Sequence, residues 1–282
     1  MGSFLGDLVI GSLAQGCLYA LVGAGLVVLF RSTGVINFAQ GSFMVLGGFT
    51  FFTLNGGLGL DLFPALAGTL VVCGLVGAAI YLLAFRRLVG AAPFTLVIAT
   101  FGLAIILQTL VVLIWGPDLR TLPVVLSITP DLGVAGFAFS ALDVFAVVMS
   151  LVLIGALELV LRRSRLGTRM RAVADNTLLA GLVKVPVHRM SALAWGLSAV
   201  CAAAAGVAFA LRTSLDPIQL QGFGLVAFAA VLLGGFALAL VQNLAVRALG
   251  GDWADAVAYV VLLVVLLARP QGLFGSREVV RL

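Results

Sequence analysis

Long apolar runs separated by short polar joints organise this chain. Runs at 8–30, 41–55, 63–85, 93–115, 141–161, 191–211, 222–246 and 254–268 carry almost no internal charge. About 20 apolar helical residues span the roughly 30 Å of a bilayer's hydrocarbon, and a backbone in lipid must satisfy its own hydrogen bonds. The pattern therefore predicts an all-α integral membrane protein, a polytopic bundle of about seven or eight transmembrane helices in which residues 1–282 form a single domain. Gly234 and Gly235 interrupt the run 222–246, so a broken or re-entrant segment is expected there.

The joints alternate in sign. Arg31, then Arg86 and Arg87, then Arg162, Arg163, Arg165, Arg169, Arg171, Lys184 and Arg189 mark one set of ends, while Asp7, Asp61, Asp118, Asp131 and Asp216 mark the other. Lys and Arg accumulate on the cytoplasmic side. This places the N-terminus outside and the loop 162–190 in the cytoplasm. If 222–246 crosses once, Arg269, Arg277 and Arg281 end up outside; if it turns back at the glycine pair, they end up inside, which the charge rule favours.

Within that loop, SRLGT breaks the preceding span and RMRAVADNTLLAGLVKV follows as a short amphipathic helix. Met170, Val173, Ala174 and Leu178 recur at helical spacing as an apolar face, opposite Arg169, Arg171, Asp175 and Asn176, and Gly181 reads as its C-cap or breaker. An orientation signal, a helix resting on headgroups and a docking helix for a cytoplasmic partner all fit. The small residues Ala172, Ala174, Ala180 and Gly181 keep docking open beside the other two.

Composition sharpens the membrane reading. The chain is 63% hydrophobic and only 10% charged, with a mean hydropathy of +1.26, against roughly 25% charged residues in soluble domains. Its 34 glycines suit close helix contacts. The net charge of +5 belongs to the joints between apolar runs, so nucleic-acid binding is not expected and lipid is the surrounding partner. The N-terminal MGSFLGDLVIG has no basic segment of the kind a cleaved signal peptide needs. Trp115, Trp253 and Tyr259 sit near run ends, as interfacial anchors do.

Catalytic and metal chemistry lack raw material. Cys17, Cys73 and Cys201 lie apart inside apolar runs and His188 is the sole histidine, so no His/Cys metal cluster, no cofactor and no catalytic constellation are expected. A phosphate-binding GxxxxGK[ST] loop is absent, the sole lysine being Lys184. The apolar runs hold Gln15, Asn37, Gln40 and Gln108, but Asp143 and Glu158 fall near run ends. Ion-coupled carriers keep ionisable groups at mid-membrane, so the pattern favours transport powered by a partner.

The NFAQG block places Asn37, Phe38, Gln40 and Gly41 at the start of the second run. Such a block is either a helix break bordering a solute path or a cap whose amides bond a neighbouring helix. Gly234 and Gly235 pose the same choice between path and packing.

Several blocks together carry a resemblance. YALVGAGLVVLFRSTGVINFAQGSFMVLGG (19–48), LVIATFGLAIILQ (96–108) with WG at 115–116, LGTRMRAVADNTLLAGLVKV (166–185), FGLVAFAAVLLGGF (223–236) and RPQGLFG (269–275) resemble the LivH-type subunits of the branched-chain amino acid permease family of bacterial ABC importers. The resemblance implies an inner-membrane permease for branched-chain or other hydrophobic amino acids. Its implied partners are a second related permease, two cytoplasmic ATPases and an external solute-binding protein. It also implies that Leu166, Gly167, Arg169, Met170, Arg171, Ala172, Ala174, Asp175, Ala180, Gly181 and Val185 form the loop on which the ATPases act. One departure stands out: LGGF (233–236) runs almost directly into ALVQN (239–243), about a dozen residues short of the family pattern. A channel, a permease for another small polar solute such as urea or an amide, and a degenerate inactive permease are the alternatives.

Overall fold

The computed structural model describes residues 2–122, 140–233, 235–249, 256–257, 259–261 and 264. Their helices are α1 (Gly2–Thr33), α2 (Gln40–Phe52), α3 (Leu62–Leu83), α4 (Pro93–Trp115), α5 (Ala141–Arg163), α6 (Arg165–Asp175), α7 (Thr177–Leu182), α8 (Val187–Arg212), α9 (Pro217–Leu233) and α10 (Gly235–Leu249). Local chemistry sets several ends. Gly34 at φ +69° stops α1 and Gly116 at φ +87° follows α4, a left-handed geometry that costs glycine nothing. Pro93 opens α4, where its missing N–H is harmless, and the Ser140 hydroxyl caps α5 by accepting from the Leu142 N–H.

Five of these helices, α1, α3, α4, α5 and α8, are long and apolar enough to cross a membrane. Helices α2, α9 and α10 have 13, 17 and 15 residues, which at 1.5 Å per residue gives about 20–25 Å, short of the hydrocarbon thickness. Among the described residues, then, five helices are candidate crossings where the run pattern predicts seven or eight. The difference lies in these short helices and in 254–268, which falls largely outside the described residues.

Helix α8 is the hub. Its apolar stretch is 83% buried, against 22% for each of α3, α4 and α5, and the sequence explains why: AVCAAAAGVAFA offers little beyond methyl groups. Apolar surfaces gain little by leaving lipid for each other, so membrane helices associate where small residues admit close backbone contact. A Cβ added at Gly77 of α3 would stand 2.7 Å from the Ala199 Cβ, one at Gly47 of α2 2.4 Å from the Ala203 Cα, and one at Gly25 of α1 3.0 Å from the Cys201 Cβ. Three helices thus meet α8 through glycines.

The ends gather on two faces. On one, Tyr81 near the end of α3 hydrogen-bonds His188 at the start of α8, and α6 and α7 follow directly on α5; this face carries Arg31, Arg86, Arg87 and the basic loop. On the other, Asp143 at the start of α5 pairs with Arg212 at the end of α8 at 2.7 Å. There too the Trp115 indole donates to Thr53 beyond α2 at 2.7 Å, and Arg120 exchanges backbone hydrogen bonds with Leu215.

Helices α9 and α10 fold back on one another. Gln219 and Phe223 early in α9, and Gln242, Asn243 and Val246 late in α10, line one cavity with Asp143 and Arg212. Both helices therefore open onto the face opposite the basic loop. Gly234 lies outside the described residues and Gly235 begins α10.

Candidate functional site

Three places gather polar chemistry: the joint before α2, the basic loop and the cavity between α1, α5, α8, α9 and α10. At the first, Gly34 turns the chain back into the bundle and residues 34–37 run without helix. Asn37 and Gln40 are each 2% exposed, and buried amides need partners. The Asn37 carbonyl oxygen accepts from the Ala39 N–H at 3.0 Å and its amide donates to Gln40 at 3.2 Å. The Gln40 amide donates to the Ser198 carbonyl at 3.2 Å, while its oxygen accepts from the Ser198 hydroxyl at 3.1 Å. The block thus ties the joint to α8.

Phe38 stacks on Phe101 of α4 with ring centroids 4.5 Å apart. Gly41 meets α9 backbone to backbone: a Cβ there would stand 2.4 Å from the Gln221 carbonyl oxygen, and one at Gly224 2.2 Å from the Gly41 Cα. The sequence left path and packing open for this block, and the contacts observed are caps, interhelical hydrogen bonds and packing. Gln40→Leu is expected to strand the Asn37 amide and the Ser198 hydroxyl at a cost of about 1–3 kcal/mol. Thermal unfolding of the detergent-solubilised chain measures this, with Gln40→Glu, which keeps the acceptors, as the comparison.

In the loop, a single predicted helix resolves into two. Ser164 caps α6, accepting from the Gly167 N–H at 3.0 Å, so the break between span and loop is one residue rather than the whole SRLGT. Asn176 ends α6 and caps α7, accepting from the Leu179 N–H at 3.0 Å. The predicted apolar face divides, within α6 for Ala174 and across the break for Leu178. Met170 and Val173 are buried against the bundle, while Ala174 is exposed and Leu178 is 80% exposed.

Gly167 is a packing residue, since a Cβ there would stand 2.1 Å from the Leu161 carbonyl oxygen, the same carbonyl that the Arg171 guanidinium reaches. Ala180 is buried, Ala172 and Val185 are half-buried, and Leu166, Arg169, Arg171, Asp175 and Gly181 are exposed. Gly181 lies inside α7 and does not cap it. The cap is a left-handed turn at Lys184, φ +60°, with the Val185 N–H bonding the Ala180 carbonyl at 2.9 Å and the Lys184 N–H bonding the Gly181 carbonyl at 3.0 Å, the paired bonds of a Schellman close. Leu178, Leu179, Leu182 and Val183, which precede that turn, are 60–80% exposed and form an apolar patch.

The cavity, about 550 Å³, lies on the opposite face. At its base Gln15 donates to Tyr19 at 3.0 Å and to Gln242 at 3.3 Å, and the Tyr19 hydroxyl donates to Gln242. Tyr19 stacks on Phe223 at 4.4 Å, and Phe223 meets Phe209 at 4.6 Å. Sequence reasoning singled out Gln15 and Asp143 but not Tyr19, Arg212 or Gln242; polar residues recurring inside apolar runs were the signal available. Among the described residues no cluster of His, Cys, Asp or Glu could hold a metal ion, and Cys73 and Cys201 are buried apart.

Known proteins share this chain's plan nearly end to end. BraD of Pseudomonas aeruginosa, a high-affinity branched-chain amino acid transport system permease protein, is 29% identical over 294 aligned positions that take in 96% of this chain and 95% of BraD. LivH of Escherichia coli K12, of the same description, is 28% identical over 94% of this chain and 93% of its own. A probable LivH of Methanocaldococcus jannaschii is 27% identical over 94% and 91%. No solved structure gives a significant match. Residues 8–266 match the family described as branched-chain amino acid transport system / permease component, and the chain belongs to that family.

Proposed function

We propose that the chain is a bacterial inner-membrane permease subunit of an ATP-driven importer for branched-chain or other hydrophobic amino acids. The observation that carries this is the family match over residues 8–266, together with relatives whose names specify branched-chain amino acid transport. In this reading the basic face is cytoplasmic, the N-terminus and the cavity mouth are external, and α9–α10 is a hairpin entering from outside. Two cytoplasmic ATPases act on the loop from Leu166 to Val185. A second permease completes the path, and an external binding protein delivers the solute. The buried joint at Asn37, Phe38, Gln40 and Gly41 and the glycines at 234–235 border that path.

Copurification tests the loop's role. With residues 169–181 replaced by a Gly/Ser linker, the ATPase subunits captured by the intact detergent-solubilised chain are expected to vanish from the eluate. ATPases retained by the replaced loop contradict the assignment. One observation favours a second reading, an inactive permease. The alignment with BraD has 294 positions and this chain 282 residues, so at least twelve positions of that alignment have no counterpart here. Leucine uptake by cells supplying all partner subunits separates the two, since an inactive permease takes up none.

A further inference from the structure

The cavity opposite the loop is built for a particular kind of molecule. Its volume of about 550 Å³ lies within the roughly 300–1,000 Å³ usual for small-molecule sites. At its mouth stand one anion and one cation, Asp143 and Arg212, whose side chains are only 20% and 18% exposed. Their contact uses the Arg212 Nε and one Asp143 carboxylate oxygen. Among the described residues, that leaves the two Nη groups and the second carboxylate oxygen open. The deeper wall is aromatic, with Phe209 and Phe223 in contact, and the base is closed by the Tyr19–Gln242 hydrogen bond.

We propose that this cavity is a solute site for an α-amino acid zwitterion with an aliphatic side chain, held by Arg212 on the carboxylate and Asp143 on the ammonium. The Nη pair presents parallel donors matched to a carboxylate, and the free Asp143 oxygen accepts from the ammonium. The side chain then lies on Phe209 and Phe223. Such a neutral pair of opposite charges selects zwitterions, because a ligand carrying one charge brings an uncompensated charge into a half-buried site, whereas a zwitterion keeps the site neutral. This assignment rests on the reading of the chain as an amino acid permease, and it adds where, and by which groups, the membrane subunit itself recognises the solute.

A cysteine introduced as Val246→Cys, on the cavity wall, in a chain also carrying Cys17→Ala, reports occupancy through its labelling by a small methanethiosulfonate reagent. Membranes of cells expressing the full transporter are used, with the chain lacking the introduced cysteine as the blank. L-Leucine is expected to slow labelling severalfold, whereas 4-methylpentanoate, without the ammonium, and isopentylamine, without the carboxylate, leave it unchanged. Arg212→Gln should raise the leucine concentration needed for protection by roughly tenfold or more, the effect of losing a charged hydrogen bond. Asp143→Asn should let 4-methylpentanoate protect as well as leucine, a change of selectivity that misfolding cannot produce. Leucine uptake without any slowing of labelling overturns the cavity site and leaves the permease reading standing. Absence of both uptake and protection overturns the permease reading, and the site with it.

Discussion

Gly206→Leu is expected to abolish the folded protein. A Cβ at Gly206 would stand 2.1 Å from the Met44 carbonyl oxygen and 2.7 Å from its carbon, so the clash is with the backbone of α2, not with a side chain that can turn away. Overpacking a core costs about 1–3 kcal/mol where side chains can adjust; here α2 must leave α8, taking with it the Gly47–Ala203 contact and the hydrogen bonds of Gln40 to Ser198. The measurement is the yield and detergent elution profile of the variant against Gly155→Leu, whose added side chain meets open space on α5. Gly155→Leu should match the parent. A Gly206→Leu chain with the parent's elution and unfolding temperature would mean that α2 does not sit on α8 as described.

That contrast also shows which parts of the fold were readable beforehand. The runs at 63–85, 93–115, 141–161 and 191–211 correspond to α3, α4, α5 and α8 within a few residues, because length and apolarity alone decide whether a helix can span. Run length does not distinguish α8, the buried hub, from α4, whose Phe94, Ile105 and Leu113 are 67–75% exposed, and α8 is the less apolar of the two, with a mean hydropathy of 1.8 against 2.6. Both are apolar all round, and only the alanine run from 202 to 205 hinted that neighbours press on α8. The loop was legible as basic and amphipathic, but its division at Asn176 was not. Asparagine is a weak helix former and a strong N-cap, and reading it as a polar position on one continuous helix put Leu178 on the same apolar face as Met170 and Val173. The cavity escaped because its parts come from distant joints: Asp143 and Arg212 are 69 residues apart and Tyr19 and Gln242 are 223 apart, and only the packing of α1, α5, α8 and α10 unites them.

Leu178→Glu combined with Leu182→Glu is expected to uncouple the permease without unfolding it. The two side chains are one helical turn apart on α7, on the same face, and are 80% and 79% exposed. Changing exposed residues away from packing contacts ordinarily alters stability by no more than about 0.5 kcal/mol. An apolar patch that the chain leaves open, formed with Leu179 and Val183, marks a surface meant for another protein or for lipid. Ala180 on α7 and Met170 and Val173 on α6 are buried, so the two helices are packed elements and not a loose loop. If an ATPase sits on the patch, two buried carboxylates should weaken its capture about tenfold or more, equivalent to at least about 1.4 kcal/mol, and leucine uptake should fall with it while the chain's unfolding temperature holds. If capture and uptake are both unchanged, the patch is not where the ATPase sits, and the docking contacts must be sought among Arg169, Arg171 and Asp175 on α6.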